Sequence, residues 1–244
     1  MTEAEYPDLF DACTPRNDVL DGSLQEDQFA ASLATVAHSQ GDAAPVYRDA
    51  GKFYDMTYPT DGLKTLLSNL SGRFLAGSDH GTGGYSSSIL CLDTRFGGGK
   101  THDLIASYHL ATNPTEIDDL DRHLVEDSDG VGSAYLDSVE DGLAVDTSVF
   151  VGGHVDARNA RSDLSDPEAP NTRTMWGEIA YQLYGLEGYE HLKEYDQERT
   201  APGGNTLKKL FDLGDGPALI LIDEIAAYLE GTSAIEVGDA TLAS

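Results

Sequence analysis

Apolar residues recur at helical spacing in the first third of the chain. Two stripes share this spacing: Phe29, Leu33 and Val36, then Leu63, Leu66, Leu67 and Leu70. A capping box at residues 23–26 (SLQE) precedes the first stripe, and a second helix is predicted to begin near Thr60. A polar, glycine-rich stretch over residues 77–88 follows. We therefore predict a helical N-terminal region over residues 1–80 and a second unit over residues 81–244.

Beyond this stretch the pattern alternates between strand-like and helix-like segments. Strands are predicted at residues 88–93, 145–151 and 218–222, the last a continuous apolar run typical of a strand buried on both faces. Helices are predicted at residues 101–111, 115–124, 174–183 and 225–229, and after Asn205 as a cap. Strands that alternate with helices predict an α/β fold, in which helices flank a parallel sheet.

Two polar stretches interrupt this alternation. Residues 113–142 are strongly acidic, and residues 156–171 are rich in Asp, Pro and Ser. We interpret both as solvated surface insertions, with a charged interaction surface as the alternative.

The net charge of the chain indicates the salt concentration at which the protein works. The 244 residues carry 43 acidic side chains against 15 Lys and Arg, a formal charge of −28, while 40% are hydrophobic and can form a core. The like charges repel one another in dilute buffer, which destabilises the compact state. At molar salt the Debye length falls to about 3 Å, so this repulsion is screened. We interpret the chain as a halophile's cytoplasmic protein, with an ordinary acidic protein as the alternative.

The same composition argues against several classes of protein. A membrane helix needs about 20 apolar residues and a signal peptide needs a basic start, and the sequence has neither. The acidity also argues against a basic face for nucleic acid. Cys13 and Cys91 have no metal-ligand spacing, so we expect buried free thiols.

A glycine-rich loop lies between a predicted strand and a predicted helix. Residues 94–101 read TRFGGGKT, and the pattern G-x-x-x-x-G-K-[ST] is met except that Thr94 replaces the first glycine. The glycines would cradle the phosphates of ATP with backbone N–H groups: Gly97, Gly98 and Gly99. Lys100 would contact the phosphates and Thr101 would ligate Mg²⁺. The alternative is a flexible loop before a helix.

A second motif ends the apolar strand at residues 218–222. Asp223 and Glu224 follow it directly, and the carboxyl edge of a sheet is where α/β proteins bind ligands. Asp223 would support the Mg²⁺ ion, and Glu224 would act as the catalytic residue that activates water. Alternatively, the two acids only begin a helix, because acidic side chains favour helix N-termini. Both motifs in this order predict a P-loop NTPase.

Other candidates are weaker. His102 follows the proposed metal ligand and is included as a nucleotide-binding residue, although packing on the helix surface is the alternative. His154 follows a predicted strand. Arg158, Arg161 and Arg173 are candidate sensors or fingers, with exposed ion pairs as the default.

Several segments together resemble a family of large prokaryotic AAA+-like ATPases of unknown function. These are residues 93–110 (DTRFGGGKTHDLIASYHL), 175–183 (MWGEIAYQL), 221–225 (LIDEI), 14–20 (TPRNDVL) and 57–60 (TYPT). The resemblance implies ATP and Mg²⁺ as cofactors and tolerates the departure at Thr94. It also implies a setting beside DNA methyltransferases and helicases in loci that act against phages, with nucleic acid engaged indirectly or through further regions.

Members of that family are longer, so we expect a sheet that is incomplete at the C-terminus, with sensor and arginine residues supplied from elsewhere. The resemblance favours an ATPase that works in a nucleic-acid-directed assembly. A non-catalytic nucleotide-binding module, an inactive gene fragment and a small-molecule kinase remain alternatives. Homo-oligomerisation and the role of residues 1–80 stay open.

Overall fold

The computed structural model describes residues 17–22, 31–38, 45–76, 87–93, 97, 99–125, 130–161, 167–233, 235–237 and 240–241. Several predictions of the sequence analysis lie outside these residues. They concern the capping box at 23–26, Phe29, most of the stretch at 77–88, Thr94, Gly98 and Cys13.

The described residues form a helix-rich α/β structure. Its helices are α1 (Asn17–Leu20), α2 (Leu33–His38), α3 (Pro45–Arg48), α4 (Ala50–Met56), α5 (Asp61–Leu75), α6 (Lys100–Thr112), α7 (Val131–Glu140), α8 (Met175–Glu198), α9 (Gly204–Phe211) and α10 (Ile225–Thr232). Its strands are β1 (Asp146–Val151), β2 (Ala218–Asp223), β3 (Glu236–Val237) and β4 (Ala240–Thr241). No described helix has both the length and the apolar character needed to cross a membrane.

A parallel pair of strands positions the candidate site. The register of β1 and β2 runs from Asp146 opposite Ala218 to Val151 opposite Asp223, so both strands end at one edge. This confirms the strands predicted at residues 145–151 and 218–222. Burial on both faces of β2 was wrongly predicted, because Leu219 and Leu221 are buried while Ile222 is 39% exposed.

Side chains close the edge of β1 that faces away from β2. Gln182 Oε1 accepts a hydrogen bond from the Val149 N–H at 2.7 Å, and His38 Nε2 lies 3.2 Å from the Val149 oxygen. Gln182 Nε2 in turn donates to Glu178 at 2.8 Å. These bonds satisfy backbone groups that an edge strand would otherwise leave open.

The N-terminal helices share a core with α6 and the sheet. The Thr60 hydroxyl caps α5 by accepting from the Leu63 N–H at 3.3 Å, as the predicted helix start requires. The predicted stripe of α5 is buried: Leu63, Leu66, Leu67 and Leu70. One cluster of buried side chains joins these leucines to Ile105 and Leu110 of α6 and to Val149 of β1.

The acidic stretch at 113–142 is not the surface insertion that its charge predicted. It contains α7 and two 3₁₀ turns, Pro114–Glu116 and Leu120–His123, where one helix over 115–124 was wrongly predicted. Its apolar side chains Leu120, Leu124 and Tyr135 are buried in the core. The acids alternate with apolar positions, so the segment presents charge outward and packs inward.

Three further predictions need correction. Residues 88–93 form no strand and pair with neither β1 nor β2, and Ile89 is 84% exposed. Helix α9 is preceded by Gly203 as its cap rather than by Asn205, which lies within the first turn. Cys91 is a free thiol, as expected, but it is exposed.

Helix α8 begins where the pattern predicted, with Thr174 as its cap, and breaks at Tyr184 and Gly185. The second half folds back along the first. Asp196, near its end, accepts hydrogen bonds from the Thr174 N–H at 2.8 Å and the Thr174 hydroxyl at 2.7 Å. Gly188 packs against the backbone oxygen of Ala180 without room for a Cβ.

Candidate functional site

The first turn of α6 contains the residues that the sequence assigns to phosphate and metal. Gly99 precedes Lys100 with a φ of +80°, and Gly97 has the same φ. This left-handed region strains any side chain with a Cβ, so the two glycines suit the turn into the helix. The backbone N–H groups of such a first turn have no partner within the helix and lie at its positive end.

A hydrogen bond joins the two motifs that the sequence separates. The Thr101 hydroxyl donates to Asp223 Oδ2 at 2.9 Å, across 122 positions of the chain. Asp223 is the last residue of β2, and its other oxygen, Oδ1, accepts from the Glu224 N–H at 2.9 Å. The first turn of α6 and the Asp-Glu pair therefore meet at the carboxyl edge of the sheet.

Glu224 has an unusual backbone conformation. With φ at +51° and ψ at 34° it is left-handed, which costs a residue other than glycine about 1–2 kcal/mol. It stands between the end of β2 and the start of α10. Strain of this kind persists only where the surroundings hold it, and it concentrates at functional sites.

The turn after β1 lies against Glu224. The backbone N–H of Gly152 donates to the backbone carbonyl oxygen of Asp223 at 2.9 Å, which extends the parallel ladder by one bond. Gly152 faces the backbone oxygen of Glu224, and Gly153 faces its Oε2 atom, both closer than a Cβ would allow. Only His154 of this turn was a candidate from the sequence, although the two adjacent glycines were the signal for a close approach.

The His102 side chain points into the N-terminal helices. Its ring lies 4.5 Å from the ring of Phe53, and its Nε2 atom is 2.9 Å from the hydroxyl oxygen of Thr57. Burial lowers the pKa of this imidazole. These contacts fit the packing alternative, and a nucleotide contact for His102 stays a prediction.

The remaining candidates are spread around the fold. His154 is exposed, and its N–H donates to the Val151 oxygen at 3.0 Å. The Arg173 N–H donates to Asp196 at 3.0 Å, so this residue supports the fold of α8. Arg158 is exposed, and its backbone oxygen accepts from Arg199 at 3.2 Å.

A cavity of about 240 Å³ lies away from the glycine-rich loop. It opens beside the outer edge of β1, and its lining includes Arg161, Glu178 and Tyr181. Tyr108 and Thr112 also line it, which places it at the last turns of α6, opposite the end that begins at Lys100. The cavity and the candidate phosphate site are therefore different places.

The donor set at the first turn of α6 consists of oxygen atoms. Among the described residues, no group of three or more His, Cys, Asp and Glu side chains is arranged to hold a metal ion. Mg²⁺ commonly takes only one or two protein ligands and completes its shell with phosphate and water oxygens. The Thr101 hydroxyl and the Asp223 carboxylate fit that requirement.

Comparison with family models matches residues 9–240 to the DUF499 N-terminal domain. The match covers most of the chain, so the protein belongs to this family, whose function is not established. No curated protein and no solved structure matches the chain.

Proposed function

We propose that the chain binds ATP with Mg²⁺ at the first turn of α6 and hydrolyses it. The observation that carries the proposal is the hydrogen bond between the Thr101 hydroxyl and Asp223. Two motifs that are distant in sequence meet there with the residue types that a magnesium-bound triphosphate requires. A P-loop NTPase core is the fold class that this arrangement favours, in agreement with the resemblance to AAA+-like ATPases.

Each side chain has a distinct task in this proposal. The backbone N–H groups at the start of α6 bind phosphate oxygens, and the Lys100 ammonium neutralises their charge. Thr101 and Asp223 hold the Mg²⁺ ion, directly or through water. The ion supplies charge neutralisation to the phosphates when it is bound.

Glu224 would serve as the general base. In hydrolysis the oxygen of a water molecule bonds to the γ-phosphorus, and the bond from that phosphorus to the β–γ bridging oxygen breaks. The carboxylate of Glu224 accepts the proton that the water loses, and ADP leaves with the bridging oxygen. Its exposed side chain beside Asp223 is accessible to such a water.

The test is nucleotide binding by Lys100→Ala in molar KCl, where the charge of −28 is screened. A charge-assisted contact is worth about 1.5–3 kcal/mol, so the affinity for MgATP should fall roughly 10- to 150-fold. The control is Lys209→Ala on the exposed face of α9, which should bind as the parent does. If Lys100→Ala binds MgATP as tightly as the parent chain, the site is assigned wrongly.

Assays of the reaction products, added to this titration, separate the alternatives. Binding without phosphate release by the parent indicates a nucleotide-gated module, and a phosphorylated small molecule as product indicates a kinase. A nucleic-acid-directed setting with DNA methyltransferase or helicase partners rests on the resemblance, and co-purification from the native host would test it.

A further inference from the structure

The turn formed by Gly152 and Gly153 is fixed to both strands of the parallel pair. The backbone N–H of Gly152 donates to the backbone oxygen of Asp223 at 2.9 Å. The backbone N–H of His154 donates to the backbone oxygen of Val151 at 3.0 Å, which closes the turn. The turn therefore keeps a constant position relative to the residue that ends β2.

Space, rather than backbone freedom, explains why glycine stands at these two positions. Neither residue is among the glycines with a left-handed φ, so a left-handed backbone does not explain glycine at either position. What an alanine would lack is room. A methyl group on Gly153 would collide with Oε2 at the far end of the Glu224 side chain, so the carboxylate would have to move, and one on Gly152 would collide with the Glu224 backbone oxygen.

We propose that Gly153 is a positioning residue, which sets where the Glu224 carboxylate rests at the carboxyl edge of the sheet. This inference rests on the proposed function, in which Glu224 accepts the proton of the attacking water. The left-handed backbone of Glu224 and the absent side chain of Gly153 act together: the first turns the residue toward the β1 turn, and the second leaves its carboxylate a place there.

The consequence is a specific pattern of effects. The three atoms nearest to a methyl group on Gly153 all belong to Glu224. Gly153→Ala should therefore leave the proposed contacts of Lys100 with phosphate and of Thr101 with Mg²⁺ in place. The Glu224 carboxylate would have to move by on the order of 1 Å to restore a normal separation between non-bonded atoms. A displacement of about 1 Å at a reacting group costs about 100-fold in rate.

The experiment compares Gly153→Ala with Gly72→Ala. Gly72 lies within α5, and a methyl group there meets nothing within 4 Å, so it controls for the substitution itself. Affinity for MgATP and phosphate release in a single turnover are measured for both variants in molar KCl. We expect Gly153→Ala to keep its affinity within about twofold and to release phosphate about 100-fold more slowly. Gly72→Ala should match the parent in both measurements.

A double substitution separates positioning from a general structural effect. In Glu224→Asp the side chain is one methylene shorter, so its carboxylate lies farther from the methyl group that Gly153→Ala introduces. Gly153→Ala should therefore slow Glu224→Asp by less than about threefold, against about 100-fold in the parent. If Gly153→Ala does not fold, Glu224→Asp alone must slow phosphate release while keeping its affinity.

Each result has a defined reading. Parental phosphate release by Gly153→Ala, or an equal loss in the Glu224→Asp background, overturns the positioning role and leaves nucleotide binding intact. A parent chain that binds MgATP without releasing phosphate also overturns it. A parent chain that does not bind MgATP overturns the proposed function itself.

Discussion

The first turn of α6 and its later turns have very different surroundings. Lys100 and Thr101 are half-buried, and a hydrogen bond from Thr101 to Asp223 connects the turn to β2. Between Ile105 and Ala111 every residue except the half-buried Tyr108 is buried, and the apolar ones belong to the core. There, buried tyrosines hold its backbone: the Tyr54 hydroxyl donates to the Ala106 oxygen at 2.8 Å, and the Tyr135 hydroxyl to the Leu110 oxygen at 2.7 Å.

This contrast separates the scaffold from the candidate site. The later turns of α6 gain their position from burial, which is the main source of stability. The first turn instead lies at the positive end of the helix, and its Thr101 hydroxyl connects it to Asp223 at the end of β2. Substitutions in the later turns should therefore change the free energy of unfolding, and substitutions in the first turn should change ligand affinity.

The largest expected effect comes from removing a tyrosine that anchors α6. Tyr135 is fully buried, and Tyr135→Ala leaves a cavity and an unpaired carbonyl, so the free energy of unfolding should fall by about 3–5 kcal/mol. Urea unfolding in molar KCl measures this. Tyr58→Ala, at a side chain that is 80% exposed, is the control. A loss below about 1 kcal/mol for Tyr135→Ala would mean that α6 is anchored elsewhere.

A smaller effect on stability is expected at the first turn. Thr101→Val keeps the shape of the side chain but removes the hydroxyl, so unfolding should become easier by about 1 kcal/mol, the value of one hydrogen bond. The affinity for ATP should lose much of its dependence on Mg²⁺, while Thr101→Ser should keep both properties. Calorimetric titration with and without Mg²⁺ provides the measurement. If Thr101→Val destabilises the chain as much as Tyr135→Ala, the two parts of α6 do not differ as described.

The sequence was sufficient where a local pattern sets the structure. The leucine stripe predicted α5 and its start near Thr60, and the order of strand and acids predicted where Asp223 lies. It failed where the outcome depends on distant neighbours. Residues 88–93 are apolar enough for a strand, but a strand also needs a neighbour to accept its hydrogen bonds.

Two other features were beyond a local pattern for the same reason. The charge of residues 113–142 favoured a surface insertion, whereas the burial of Leu120, Leu124 and Tyr135 depends on α5 and α6 being present to cover them. The role of Gly153 depends on Glu224, which lies 71 positions later in the chain and approaches only because β1 and β2 pair in parallel. The two adjacent glycines can indicate a close approach, but they do not show which residue approaches.

The smallest expected effect concerns the pH dependence of stability near the later turns of α6. The His123 side chain is buried against the ring of Tyr54, at 4.9 Å, and its Nδ1 atom has no hydrogen-bond partner among the described residues. Burial lowers the pKa of this imidazole. Nearby charges act in both directions and matter less: Arg122 and Lys64 lower the pKa, while Asp119 and Asp55 raise it.

A lowered pKa in the folded state means that the unfolded chain binds the proton more readily. The contribution of His123 to the free energy of unfolding is complete above its unfolded pKa of about 6.5. It is lost as the pH falls toward the lower pKa of the folded state. We therefore expect the free energy of unfolding to decrease between about pH 7 and about pH 5.5, the range where imidazole titrates and most carboxylates do not. Urea unfolding across this range should show a shallower decrease for His123→Gln, whatever its absolute stability.

The exposed His191, changed to Gln, should keep the parental decrease. Because burial also lowers the pKa of His102, a residual slope should remain in His123→Gln and disappear when both are replaced. An unchanged slope in the double variant would show that neither imidazole is neutral in the folded core, and that the packing around α6 tolerates charge.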